Sequence, residues 1–222
     1  TVKGLQARPC YPGIRPLEMV VENPCFRPDG SLLSTPGYDD ATGLLYAPNG
    51  PVVIPSLNPT PDDAQEALGE LLDVVKDVCF AAESNEEPGV NRSAWLASVL
   101  SPFARFAYQG PTPMFLIDAN ASRCGKTLLA DITSIIVNGR KFARGTWPDK
   151  NEELKKCLTE VLSAGDRTFL FDDIDPRQTL GGSHLRAVLT STEWVDRRFG
   201  TNDERIKVPA FTIWYVTGNN VN

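Results

Sequence analysis

Residues 113–127, Pro-Met-Phe-Leu-Ile-Asp-Ala-Asn-Ala-Ser-Arg-Cys-Gly-Lys-Thr, run from an apolar strand pattern into a Gly-Lys-Thr turn, and Leu-Leu-Ala-Asp-Ile-Thr-Ser-Ile-Ile follows with helical spacing. Strand, turn and helix in that order are what a phosphate-binding loop requires. Backbone N–H groups of the turn converge on phosphate oxygens, the helix adds its positive end, and a Lys adds a point charge. The predicted nucleotide-binding loop is Asn120, Ala121, Ser122, Arg123, Cys124, Gly125, Lys126, Thr127 and Leu128. Lys126 is assigned to the phosphates and Thr127 to Mg²⁺. The usual pattern has Gly where Asn120 stands, five residues before Gly125. Asn tolerates positive φ better than other non-glycine residues, so the loop is expected to close, with slower or weaker nucleotide binding.

Two further segments fit the same chemistry. Thr168-Phe-Leu-Phe-Asp172-Asp173 is an apolar run ending in paired carboxylates after a Gly165-Asp166-Arg167 turn. It reads as a buried strand delivering acid to the crevice where open α/β sheets bind ligands. Asp172 is assigned to Mg²⁺ through water, and Asp173 to the proton of an attacking water. Pro209 to Asn220 is another buried-strand pattern, ending in Thr-Gly-Asn-Asn, where the Asn219 amide can orient water or contact a γ-phosphate. A plain acidic turn and a plain Gly-Asn turn are the alternatives.

The order of these pieces resembles the Walker A, Walker B and sensor 1 series of an AAA+ ATPase, with about 45 residues between successive motifs. Gly-Thr-Trp-Pro-Asp-Lys-Asn-Glu-Glu-Leu-Lys-Lys (145–156), Leu-Gly-Gly from Leu180, Glu-Trp-Val-Asp-Arg-Arg-Phe-Gly (193–200) and Tyr-Val-Thr-Gly-Asn-Asn (215–220) resemble the ATPase module of primase-helicases from phages and integrative elements. Asn-Pro-Cys-Phe-Arg-Pro-Asp-Gly (23–30) and Pro-Gly-Tyr-Asp-Asp-Ala-Thr-Gly-Leu-Leu-Tyr (36–46) look like the domain preceding that module.

Such proteins sit near superfamily 3 and MCM-type helicases. The resemblance implies a P-loop AAA+ parallel sheet flanked by helices, with ATP and Mg²⁺ as cofactors, single- or double-stranded DNA as partner, and a homo-oligomeric ring. Catalysis then falls to Lys126, Asp172, Asp173 and Asn219. It also implies a fifth parallel strand beside the phosphate-loop strand and a sensor 2 lid. Neither is found before the sequence stops two residues past Asn220, so it is read as a fragment truncated after sensor 1. The exposed edge is expected to be shielded by the N-terminal β segment or by a neighbouring subunit.

Between the second and third motifs, Trp194–Phe199 and Glu204–Val208 read as two strands about the turn Gly200-Thr-Asn-Asp203. The resemblance makes this the hairpin that relatives project into a central channel. Arg197, Arg198, Arg205 and Lys207 are its candidate phosphate contacts. Asp196, Asp203 and Glu204 nearly cancel them, so a solvated or subunit-facing hairpin stands beside the DNA reading. Arg197 or Arg198 is also a candidate arginine finger acting in trans.

Three parts are expected: a β-rich segment over 1–58, a helical connector over 59–110 and the ATPase core over 111–222. Turns at Tyr11-Pro-Gly, Arg27-Pro-Asp-Gly, Thr35-Pro-Gly-Tyr and Pro48-Asn-Gly punctuate the first part, predicting short strands in meanders. Thr60-Pro-Asp-Asp opens a helix with Leu68, Leu71, Leu72 and Val75 on one face, and Ser93–Tyr108 gives a second with Trp95, Val99 and Phe103, bent by Pro102. Both stripes are expected to pack between the β segment and the core, and 83–89 to form an exposed loop.

Composition is consistent with this class. The 222 residues are 41% hydrophobic and carry a net charge of −6, so any nucleic-acid contact must be local. No run has membrane-spanning length. Five scattered cysteines (Cys10, Cys25, Cys79, Cys124, Cys157) have no metal-ligand spacing, so a reducing cytoplasm is the expected location, which the resemblance makes that of a bacterium or infected host. Cys124, inside the loop, reads either as a thiol that makes nucleotide binding sensitive to alkylation or as an inert small residue. His184 reads as a surface residue. A nucleotide switch that hardly hydrolyses is the competing function. A small-molecule kinase would need a lid and an arginine cluster where the hairpin pattern lies.

Overall fold

The structure is a computed structural model that describes residues 11–51, 56, 58–81, 89–121, 123–197 and 205–221. Short strands alternate with the predicted N-terminal turns: β1 (Met19–Val21), β2 (Cys25–Phe26), β3 (Leu32–Leu33), β4 (Gly37–Tyr38) and β5 (Leu44–Tyr46). They depart from a simple meander, because β1 lies parallel to β5 while β4 joins β5 antiparallel and β2 pairs only with β3. Strands this short cannot hold by ladder bonds alone. A fork from Arg27 onto Asp39 (Nη2–Oδ1 3.0 Å) links the Arg-Pro-Asp-Gly turn to the Tyr-Asp-Asp turn, and Thr42 donates to the same carboxylate. Those hydrogen bonds, Arg27's first, hold Asp39 below the usual carboxylate range. Underneath, Met19, Val21, Cys25, Leu33, Leu44 and Tyr46 form a small core closed by Phe106 and Phe211.

Helix α1 (Pro61–Val74) starts as predicted, with Thr60 and Asp63 forming a reciprocal capping box. Its apolar stripe is a correction: Leu68 is 42% exposed, Leu71 and Leu72 are half-buried, and only Val75, just past the helix, is buried. The helix therefore docks by its C-terminal end. Helix α2 (Gly89–Ala104) begins and ends about four residues earlier than the sequence suggests. Its Trp95 and Val99 pack against the helix that follows the Gly-Lys-Thr turn, and Trp95 Nε1 donates to Thr133 Oγ1 at 3.0 Å.

The remaining elements are β6 (Phe115–Ala119), α3 (Lys126–Asn138), β7 (Ala143–Gly145), α4 (Asn151–Ala164), β8 (Thr168–Ile174), α5 (Ser183–Thr190), β9 (Glu193–Arg197), β10 (Arg205–Pro209) and β11 (Ile213–Asn219). Strands β6, β11, β8 and β7 stand in that order in one parallel sheet. This is a mixed α/β sheet with flanking helices, an arrangement shared by Rossmann-like and P-loop folds.

Alternate residues of the central strands serve two cores, which is why their sequences read as continuous apolar runs. Phe169, Phe171, Trp214 and Val216 point to α4 and α5, while Leu170, Ile213 and Tyr215 point to Ala130 of α3 and to Phe142. The Tyr215 hydroxyl donates to the Ser98 carbonyl at 2.6 Å, so a fully buried phenol is satisfied and ties the sheet to α2. Arg105 connects the same layer to the hairpin's return. It donates to the Ala210 carbonyl, and its guanidinium lies over the rings of Phe211 and Tyr108.

The described N-terminal strands form their own sheets and do not join β6, so shielding of that edge by them is not found. They sit at the far end of α3 instead, where Asn23 Nδ2 donates to the Val137 carbonyl and Glu22 pairs with Arg140. Among the described residues no helix is long and apolar enough to cross a membrane.

Candidate functional site

The carboxyl ends of β6, β8 and β11 lie side by side, so the three sequence motifs meet there. Gly125 caps α3 in the left-handed conformation (φ 89°), and among the described residues no side-chain hydrogen bond caps the helix N-terminus. The first-turn N–H groups, orphaned in any helix, face outward with the positive end of the dipole. Asn120 does not take positive φ; Arg123 (φ 61°) and Gly125 do. The position that lacks its usual Gly is therefore not where this loop needs conformational freedom. Ser122 lies outside the described residues.

Lys126 Nζ donates to Asn219 Oδ1 at 2.6 Å and to the Ala121 carbonyl at 3.2 Å. Asn219 Nδ2 in turn donates to Asp173 Oδ1 at 3.4 Å. Charge fixes the amide's orientation: an ammonium needs the oxygen, a carboxylate needs the NH₂. Thr127 Oγ1 donates to Asp172 Oδ1 at 3.3 Å. Lys126, Thr127, Asp172, Asp173 and Asn219 are thus brought together. Cys124 is exposed beside Lys126, its Sγ 3.5 Å from Nζ, and Leu128 is exposed at the first turn of α3.

The acid pair sits on an irregularity that the sequence did not announce. Phe171 pairs with Val216 and Ile174 with Gly218, so Asp172 and Asp173 together oppose Thr217 alone. This is a β-bulge, and Asp173 takes φ 57° to accommodate it. A non-glycine residue held at positive φ costs on the order of 1 kcal/mol or more and persists only where its surroundings fix it. Thr217 does the fixing. Its buried hydroxyl accepts from the Asp173 N–H at 2.8 Å and donates to Asp172 Oδ1 at 2.7 Å. Sequence reasoning passed over Thr217, although a hydroxyl inside an apolar strand one pleat before the amide was the available signal.

Arg144 was also missed, because β7 is only three residues long and shows no strand pattern of its own. Its Nη1 donates to Asp172 Oδ2 at 3.1 Å and its Nη2 to Asp131 Oδ1 at 2.5 Å. Asp131, one turn along α3 from Thr127, also pairs with Lys141 at 2.7 Å. Burial raises the Asp131 pKa, but the bonds from Lys141 and Arg144 outweigh it and leave the carboxyl below its ordinary value.

The donor set fits magnesium. Thr127 and Asp172 offer one hydroxyl and one carboxylate, hard oxygens for a cation that keeps several waters and takes phosphate oxygens as its other ligands. Among the described residues no group of three or more His, Cys, Asp or Glu forms a protein cage for another metal.

The hairpin lies apart from this site. Strands β9 and β10 pair antiparallel as expected, with Arg197 opposite Arg205 and Lys207 opposite Val195. Arg198 and the turn lie outside the described residues. Asp196 does not cancel the hairpin's cations, as the sequence suggested. It turns inward, where Lys155 (2.6 Å) and Thr159 (2.7 Å) engage it and Trp194 Nε1 donates to the same hydroxyl. Among the described residues, the outer face carries Arg197, Arg205 and Lys207 against Glu193, which pairs with Lys207.

No family model matches the chain, and no curated protein matches it.

Proposed function

We propose that this chain is the ATP-binding and hydrolysing module of a mobile-element DNA replication helicase of the AAA+ type. The observation that carries the reading is the 2.6 Å bond from Lys126 to Asn219, which joins the phosphate loop to the neighbouring amide strand, itself flanked by the acid strand. Strand order β6-β11-β8-β7, with the loop strand next to the amide strand and the acid strand beyond it, supports the same reading.

In this account the N–H groups at the start of α3 bind the phosphates, and Lys126 exchanges its Asn219 partner for phosphate oxygen. Thr127 and Asp172 would hold Mg²⁺, whose chemistry is to offset charge on the transferred phosphoryl group. Asp173, held at positive φ and reached by Asn219, accepts the proton of the attacking water. The outer hairpin face supplies local positive charge for DNA on a chain that is acidic overall. A homo-oligomeric ring belongs to the proposal through the resemblance alone.

Phosphate release with and without single- and double-stranded DNA tests the reading. DNA-stimulated turnover that drops about 100-fold in Asp173→Asn, with nucleotide binding retained, is the expected result. Tight nucleotide binding with no turnover on any DNA would favour the switch reading.

A further inference from the structure

The carboxylate assigned to magnesium already has a cation on it. Asp172 Oδ1 accepts from Thr127 and Thr217, and Oδ2 accepts from Arg144. Arg144 stands on β7 in register with Leu170, and its fork spans carboxylates from two different elements, Asp172 of β8 and Asp131 of α3. Its Nη2 bonds Asp131 and its Nη1 bonds Asp172, so each carboxylate has its own end of the fork. The pair with Asp172 is partly open to water, with side-chain exposures of 31% and 23%. A guanidinium so placed can surrender Asp172 without becoming an unpaired charge, because Asp131 retains it. Magnesium bound beside Thr127 needs Asp172 as an acceptor for its waters, and it repels a second positive charge there.

We propose that Arg144 is a counter-ion for Asp172 that is displaced on metal binding: it neutralises the acid while the site is empty and is held by Asp131 alone once magnesium is bound. The inference rests on the nucleotide-site reading and adds a control to it. Arg144 opposes magnesium at the bare protein, so metal enters with nucleotide, whose phosphates bring the missing negative charge.

The test titrates magnesium against binding of a fluorescent ATP analogue, for wild type, Arg144→Gln, Asp131→Asn, Lys141→Gln and Lys126→Ala. Arg144→Gln is expected to lower the half-saturating magnesium concentration by about 2- to 5-fold, the worth of a partly exposed ion pair. Asp131→Asn leaves Arg144 with Asp172 alone, so it raises the midpoint, and it decides the matter where Arg144→Gln does not fold. Lys141→Gln removes the same charge from the same Asp131 without touching Asp172, so its midpoint stays at the wild-type value. An unmoved midpoint in Arg144→Gln, a fall in Asp131→Asn, or an equal fall in Lys141→Gln overturns the inference. If the wild type binds no nucleotide, or Lys126→Ala binds as well as wild type, the nucleotide-site reading falls instead.

Discussion

Strands β8 and β6 run in one parallel sheet and carry two halves of one site, yet they are built to opposite standards. Residues Thr168–Phe171 of β8 are buried on both faces, whereas β6 alternates half-buried with exposed residues and leaves Leu116 43% accessible. The reason is coverage. Helices α4 and α5 pack over β8 and β11, while the same face of β6 stays open, and among the described residues only β11 pairs with it. The acids, with Asp173 at positive φ, therefore follow a run of strand buried on both faces and paired on both sides, where strain can be held. The lysine loop follows a strand that is half open to solvent.

Four substitutions test that contrast, from largest effect to smallest. Phe171→Ala empties a site with rings of Trp147, Phe169 and Trp214 around it and should cost about 3–5 kcal/mol in denaturant unfolding. Thr217→Val keeps the volume but strands the Asp173 N–H and takes a donor from Asp172. A loss of about 1–3 kcal/mol is expected, and a change within experimental error would mean the bulge is fixed by something else.

The third effect is one of pH. Burial raises the Asp196 pKa, while hydrogen bonds from Lys155 and Thr159 lower it further, for a net fall. A depressed folded pKa gives stability that is present above the unfolded value, about 3.9, and is lost as pH falls through the folded one. Urea midpoints should therefore drop between about pH 5 and pH 3, and drop less in Asp196→Asn. An identical pH slope in the variant removes this carboxylate from the account. Smallest of all, Leu116→Thr on the open face should shift stability by no more than about 0.5 kcal/mol. A loss comparable to that of Phe171→Ala would show that β6 is covered in solution.

How much of this was legible in advance follows from the range of the interactions. The helix start at Thr60, the start of α3 after Gly125, and the runs that became β8 and β11 are set by neighbours a few residues apart, and they read directly. The apolar stripe of α1 was equally periodic but largely unburied, because what covers a stripe is decided elsewhere in the chain. The bulge, the Thr217 bridge and the Arg144 fork depend on register between strands far apart in sequence, about which local pattern is silent. The same holds at Asn120: the motif names a position for conformational freedom, whereas the backbone takes positive φ at Arg123 and Gly125.

The central claim is that the β6–α3 turn binds nucleotide phosphate through Lys126. Titration of Mg²⁺-ATP against wild type and Lys126→Ala tests it most directly, since Lys126 is half-buried and belongs to none of the apolar cores. The account predicts wild-type binding on the order of micromolar and a loss of about tenfold or more in the variant, about 1.4 kcal/mol. Equal affinity in the two proteins, or no binding by either, would contradict it.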